Sequence, residues 1–171
     1  MFTRSIVKLM AGGMVLGILA LPALSLAKEE GPEYAPTQYG GNFGLGLELG
    51  DPGAWGITGK VWIDRLNAFQ GAVKLGEGET VLQLDYLWHD FSLIHIHNND
   101  GEMPFFIGVG GDAVLDSSAS LAARMPVGLS YIFNKKDVPV DIYLQLVPAL
   151  WFYTGGATFR IYPELGAHYY F

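Results

Sequence analysis

Apolar and polar residues alternate one by one along most of this chain. In VPVDIYLQLVPALWFY, Val138, Val140, Ile142, Leu144, Leu146, Leu150 and Phe152 fall on one side, opposite Asp141, Tyr143 and Gln145. In SLAARMPVGLSYIF the apolar side runs from Leu121 to Phe133 in steps of two, opposite Arg124, Gly128 and Ser130. TFRIYPELGAHYYF sets Phe159, Ile161, Leu165, Ala167, Tyr169 and Phe171 against Arg160, Glu164 and His168. NFGLGLELG, WGITGKVWI, AFQGAVKL, TVLQLDYLWH and PFFIGVGGDAVL repeat the pattern, with Glu48, Thr58, Lys60, Gln70, Lys74, Gln83, Asp85, His89 and Asp112 on the polar side. Period-two alternation is the mark of strands, and no segment sustains a helical period. The expected fold is all-β: eight antiparallel strands in up-and-down order. The turns are short, DPGA, DRLN, GEGE, DSSA, NKKD and TGGA, with one longer link around NNDGE.

An eight-stranded meander can close around an apolar cavity in water or around a polar filling with its apolar side outward. Three features favour the second. The polar sides carry acids Glu48, Asp85, Asp112, Asp141 and Glu164 beside bases Lys60, Lys74, Arg124 and Arg160, a set suited to charge pairing in an enclosed interior. They are also rich in glycine, at 44, 46, 56, 108, 110, 128 and 166. Glycine weakens a strand, but it makes room in a ring whose interior is only just wide enough for its side chains. Finally, Trp55, Trp88, Tyr131, Phe133, Phe152, Phe159 and Phe171 stand near strand ends on the apolar side, as in the aromatic girdles of a lipid-facing band. The expectation is an eight-stranded transmembrane β-barrel. Arg124 and Arg160 are its expected charge hubs, because a guanidinium serves two carboxylates. Tyr143, Tyr162 and Tyr170 are expected to point inward. Pro126, Pro148 and Pro163 are misfits in such strands and predict bulges or strand ends.

Composition adds a compartment. Arg4 and Lys8 precede an uncharged apolar run with Pro22, Ser25 and Ala27 at its end, the layout of a secretory signal cleaved after Ala27. An uncleaved anchor is the alternative. Residues 28–41 are polar, proline-bearing and aperiodic, a flexible periplasmic lead-in to a domain at 42–171. Of ten basic residues the signal takes Arg4 and Lys8, leaving eight against 17 acids, a balance unsuited to nucleic acid. There is no cysteine, so neither disulfides nor a lipid-modified cysteine can hold the mature chain.

Candidate chemistry is sparse. His95 and His97 share a strand side, but two ligands do not make a metal site. Ser92 lies between His89 and His95 without an acid or an oxyanion donor, so the catalytic pattern is unfilled. Neither enzyme activity, a cofactor nor a metal is expected. A filled eight-stranded interior leaves at most a narrow small-ion pore, and a soluble periplasmic calyx for an apolar ligand is the alternative from another class.

The chain ends ELGAHYYF, which resembles the C-terminal signal that bacterial outer membrane proteins present to their barrel assembly machinery, with Tyr169 and Phe171 as its aromatics. DYLWHDF, FFIGVGGDA, ARMPVGLSYIF, PVDIYLQLVPAL and GAHYYF are similar to a broad group of small bacterial outer membrane β-barrel proteins. That resemblance implies fold and location. The reading taken together is a monomer in the outer membrane, with lipids and the assembly machinery as partners and a structural, envelope-integrity role. With the C-terminus periplasmic, the outer turns are DPGA, GEGE, DSSA and TGGA, too short for adhesion.

Overall fold

A computed structural model of the protein describes residues 41–53, 55–76, 78–94, 101–115, 120–133 and 138–171. The expected signal, the lead-in up to residue 40, the DSSA and NKKD turns and both His95 and His97 lie outside them. The strands are β1 (Phe43–Gly50), β2 (Trp55–Trp62), β3 (Asn67–Leu75), β4 (Thr80–Asp90), β5 (Gly101–Glu102), β6 (Phe105–Leu115), β7 (Ser120–Arg124), β8 (Val127–Phe133), β9 (Val140–Tyr153) and β10 (Gly156–Tyr170). All pairings are antiparallel. The order closes on itself because β10 pairs with β9 on one side and with β1 on the other, from Gly44 opposite Tyr170 to Gly50 opposite Glu164. The architecture is a barrel-like ring of eight strands.

Two details differ from the expected eight strands. SLAARMPVGLSYIF is split into β7 and β8 at Met125 and Pro126, and part of the long link adds the two-residue β5 to β8. The split is not a bulge. Arg124 opposes Gly110 and Val127 opposes Ile107, so the register runs through unchanged, and the Gly108 N–H still reaches the Pro126 carbonyl at 2.8 Å.

The prolines are accommodated by position instead. Pro148 sits inside β9 opposite Met125, whose N–H donates to the Pro148 carbonyl at 2.9 Å, so one bond of that exchange is kept and one is lost. Pro163 loses none on the β9 side. In β10 the Tyr170 N–H donates to Pro139 across β9, whereas Phe171 donates to Phe43 on the β1 side. Pro163 shares the parity of Phe171, and β1 has already ended at Gly50, opposite Glu164. The 15-residue β10 therefore projects past β1, and residues 156–163 pair only with β9.

Alternation sorts the side chains. Apart from Asp90 at the end of β4, no outward strand position among the described residues carries a charge. Leu47, Leu84, Leu144, Leu146 and Ile161 are each more than half exposed. On the other side, Glu48, Lys60, Lys74, Asp85, Asp141 and Glu164 are at most 1% exposed. The ring is inverted relative to a water-soluble fold, in which charged groups are the ones left outside.

Inside, apolar layers cap the two ends. Val81, Val114, Val147, Trp151 and Tyr162 pack near the β9–β10 hairpin, and Trp62, Ala68, Ile132 and Tyr170 pack at the other end, with Phe91 against them. Leu87, Phe106 and Tyr143 form a third cluster. The aromatics outside are unequal at the two ends. Edge-to-face pairs Phe69–Tyr86, Tyr86–Trp88, Tyr131–Phe133 and Tyr169–Phe171, with ring centroids 4.7 to 5.1 Å apart, all stand at the Phe171 end. Trp55, Phe152 and Phe159 mark the opposite end.

Local chemistry fixes the β2–β3 turn at the Phe171 end. Asp64 Oδ1 accepts the Leu66 and Asn67 backbone N–H groups at 2.7 and 2.8 Å, the Asx pattern. Its carboxyl is held below the usual range, first by the Asn67 side chain and then by these backbone donors.

Candidate functional site: the charged interior

The interior network grows from a repeated arrangement across neighbouring strands, in which a glycine sits between two long polar residues. Asp85, Gly110 and Arg124 share one rung of β4, β6 and β7. With no side chain at Gly110, Arg124 Nε comes to 3.1 Å from Asp85 Oδ1, in space that a β-carbon on residue 110 would occupy. Glu48, Gly56 and Lys74 share another rung, and Lys74 Nζ reaches Glu48 Oε1 at 3.0 Å over the glycine. A β-carbon at Gly56 would lie 2.6 Å from Lys74 Cγ. Tyr143, Gly166 and Glu48 make the third, where the phenol ring lies over Gly166 and donates to Glu48.

These rungs join into one centre. Arg124 pairs with Asp85, with Asp112 at 2.9 Å and with Glu164. Glu164 also takes Lys74 and the Gln145 amide. Tyr162 donates to Asp112 at 2.9 Å, and Gln70 donates to Glu48 at 3.4 Å. A second centre forms around Asp141, which receives Lys60 at 3.4 Å and the Tyr170 hydroxyl at 2.8 Å, with His168 Nδ1 at 2.8 Å. Trp62 Nε1 donates onward to Tyr170 at 3.0 Å, and the Lys60 ammonium lies 4.5 Å from the Trp62 ring. Each buried cation therefore has a carboxylate, which desolvated charge requires.

Of the nine charged residues expected inside, eight meet in these two centres. Arg160 does not. It is exposed on the projecting part of β10 and has no ion-pair partner among the described residues. Its side is the inward one, but it stands beyond the level at which the ring closes. Among the described residues the interior thus holds five carboxylates against three fixed cations. Tyr143, Tyr162 and Tyr170 are inward and at most 3% exposed. Alternation also places Trp62 and Trp151 inside. They are two residues beyond Lys60 and six beyond Gln145, and reading tryptophans as belt residues hides them.

Ser92 and His89 are held by local contacts, although His89 Nε2 and the Ser130 hydroxyl are buried without a partner. Ser92 donates to Asp90 at 2.6 Å, while the His89 ring lies 4.3 Å from the Trp62 ring, with Nδ1 3.3 Å from the Leu66 carbonyl. A hydroxyl–imidazole–carboxylate chain does exist at Thr58, His168 and Asp141, with Thr58 Oγ1 3.1 Å from His168 Nε2. All three residues are at most 1% exposed, and Thr58 also donates to the Gly71 carbonyl at 3.2 Å, so the chain ties β2 to β9 and β10. Among the described residues no cluster of three or more His, Asp or Glu has metal-ligand geometry. No family model, curated protein or solved structure matches the chain.

Proposed function

We propose that the chain is a bacterial outer membrane protein: a monomeric transmembrane β-barrel of 42–171, released from a signal at 1–27, whose filled interior makes it a structural element of the envelope. One observation carries this reading, the inversion of polarity, with charges enclosed and large apolar side chains outside on every long strand. In lipid such a surface is the favourable one, and a closed ring leaves no unpaired edge through the band. Strands β4 and β6 have 11 residues each, the length that a tilted strand needs to cross. The aromatic belt at the Phe171 end fits an interface with headgroups. Bilayer lipids are the proposed partners along the band, and the barrel assembly machinery is the partner for the Tyr169–Phe171 end.

The test is fractionation of natively expressed protein, then gel migration of the outer membrane fraction with and without boiling. A faster-running unboiled band in that fraction is expected. A soluble periplasmic protein without a heat shift would overturn the proposal and favour the calyx. A single substitution sharpens the test. Leu144 is 57% exposed near the middle of β9. Leu144→Arg should cost about 2–4 kcal/mol if that face meets lipid and within about 0.5 kcal/mol if it meets water.

A further inference from the structure

The mouth at the β9–β10 end holds a cavity of about 270 Å³ that the charged interior does not use. It opens where β10 projects past β1, so Thr158 and Arg160 form one wall and Pro52 and Glu79 also line it, over Val114 and Trp151 of the apolar layer. Two residues that line this cavity carry donors without acceptors. Arg160 has no carboxylate partner among the described residues, whereas the other described cations Lys60, Arg65, Lys74 and Arg124 each have one. The Trp151 indole N–H is buried, in a residue 6% exposed, and has no hydrogen-bond partner. A buried donor without an acceptor is costly and uncommon, and here it belongs to a residue that lines the same cavity as the Arg160 guanidinium. The volume is just under the roughly 300 Å³ at which ligand pockets begin, enough for one small molecule.

We propose that this mouth is a binding site for a small hydroxylated anion, a phosphate or carboxylate carried on a polyol or sugar. Arg160 holds the oxyanion by paired N–H donors, the geometry in which a guanidinium is strongest, and the anion or a neighbouring oxygen accepts from Trp151. Glu79 would repel a bare anion but accepts hydrogen bonds from ligand hydroxyls, and Ser120 and Thr158 add hydroxyl partners. The requirement for both features, charge and hydroxyls, is what separates this site from a general anion patch. The same chemistry is present in a dissolved sugar phosphate and in the headgroup of a glycerophospholipid.

The full mature chain in detergent micelles is titrated while its indole ¹H–¹⁵N resonances are followed, with Trp151 assigned from the spectrum of Trp151→Phe. Glucose 6-phosphate should move the Trp151 resonance saturably. Glucose should not, and inorganic phosphate should bind more weakly. In Arg160→Gln, a change at an exposed position that leaves the fold intact, affinity should fall about tenfold or more, as for loss of a charge-assisted bond. Arg65→Gln, at the opposite end, should titrate like the parent. In nanodiscs, a Trp151 resonance already shifted by phosphatidylglycerol and unresponsive to glucose 6-phosphate assigns the site to a lipid headgroup. A site free in phosphatidylglycerol bilayers and filled by glucose 6-phosphate takes a solute. No saturable shift with either, or one unchanged in Arg160→Gln, overturns the proposal.

Discussion

A buried cation and an exposed one of the same type lie on the same side of their strands here, and their substitution should separate them. Arg124 answers three carboxylates, at Asp85, Asp112 and Glu164, and removing it leaves all three enclosed without their shared counter-charge. Breaking a buried ion pair on one side costs about 3–5 kcal/mol, so Arg124→Met should lower stability by that much. The readout is denaturant unfolding followed by the heat-modifiable band. Arg160→Gln should change stability by no more than about 0.5 kcal/mol, because the guanidinium is exposed and unpaired. Equal losses at both positions would contradict the assignment of Arg124 as the hub. Sequence parity puts both arginines on the inward side, and it could do no more. Parity says which side of a strand a residue takes, whereas the level along the axis depends on where β1 stops against β10. The glycines were legible as space-makers. Their partners, such as Tyr143 over Gly166 and Lys74 over Gly56, became visible only once the cross-strand register was known.

At the level of elements, ring closure rests on the pairing of the first strand with the last, seven residue pairs between β1 and β10. Directly opposed residues of antiparallel strands have Cα atoms about 4.5–5.5 Å apart, inside the range that a disulfide spans. Leu47 opposes Ala167 on the outer side, and the chain has no native cysteine to compete. A Leu47→Cys, Ala167→Cys pair should therefore form an intramolecular crosslink on mild oxidation in the folded protein. Leu47→Cys with Ile161→Cys should not, since Ile161 lies beyond the end of that ladder. Crosslinking in the second pair alone would mean a shifted register. Strand positions were readable from alternation because burial on one side imposes it along each strand. Pro126 does fall at a strand end, between β7 and β8, but Pro148 and Pro163 lie inside strands, for a local reason. Whether a missing N–H matters depends on which neighbour it would have faced, and Pro163 faces the side where β1 has ended while Pro148 faces Met125. The two-residue β5 is also too short to display any period.

For the whole molecule, alternation is symmetric between a ring with its apolar side in and one with that side out, so only the chemistry of the enclosed side distinguishes them. Here that side holds large residues at every level, including Trp62, Tyr143, Tyr170 and Phe106, each at most 2% exposed. Two charge centres are enclosed by the apolar clusters near the ends. An ion crossing this interior would have to leave water, pass the Trp62–Ile132–Tyr170 layer and displace lysine or arginine from carboxylates already in contact, and no step of that path offers compensating solvation. Eight strands give no spare cross-section for a bypass. Reconstituted in planar bilayers, the protein should therefore show no regular conductance steps. Trp62→Ala should leave it closed as well, because the charge centres remain beyond the thinned layer. Regular steps from the parent protein would mean that the interior rearranges in lipid and would support the narrow-pore alternative. Steps from Trp62→Ala alone would assign closure to that single aromatic layer, leaving the ion pairs to stability rather than to the seal.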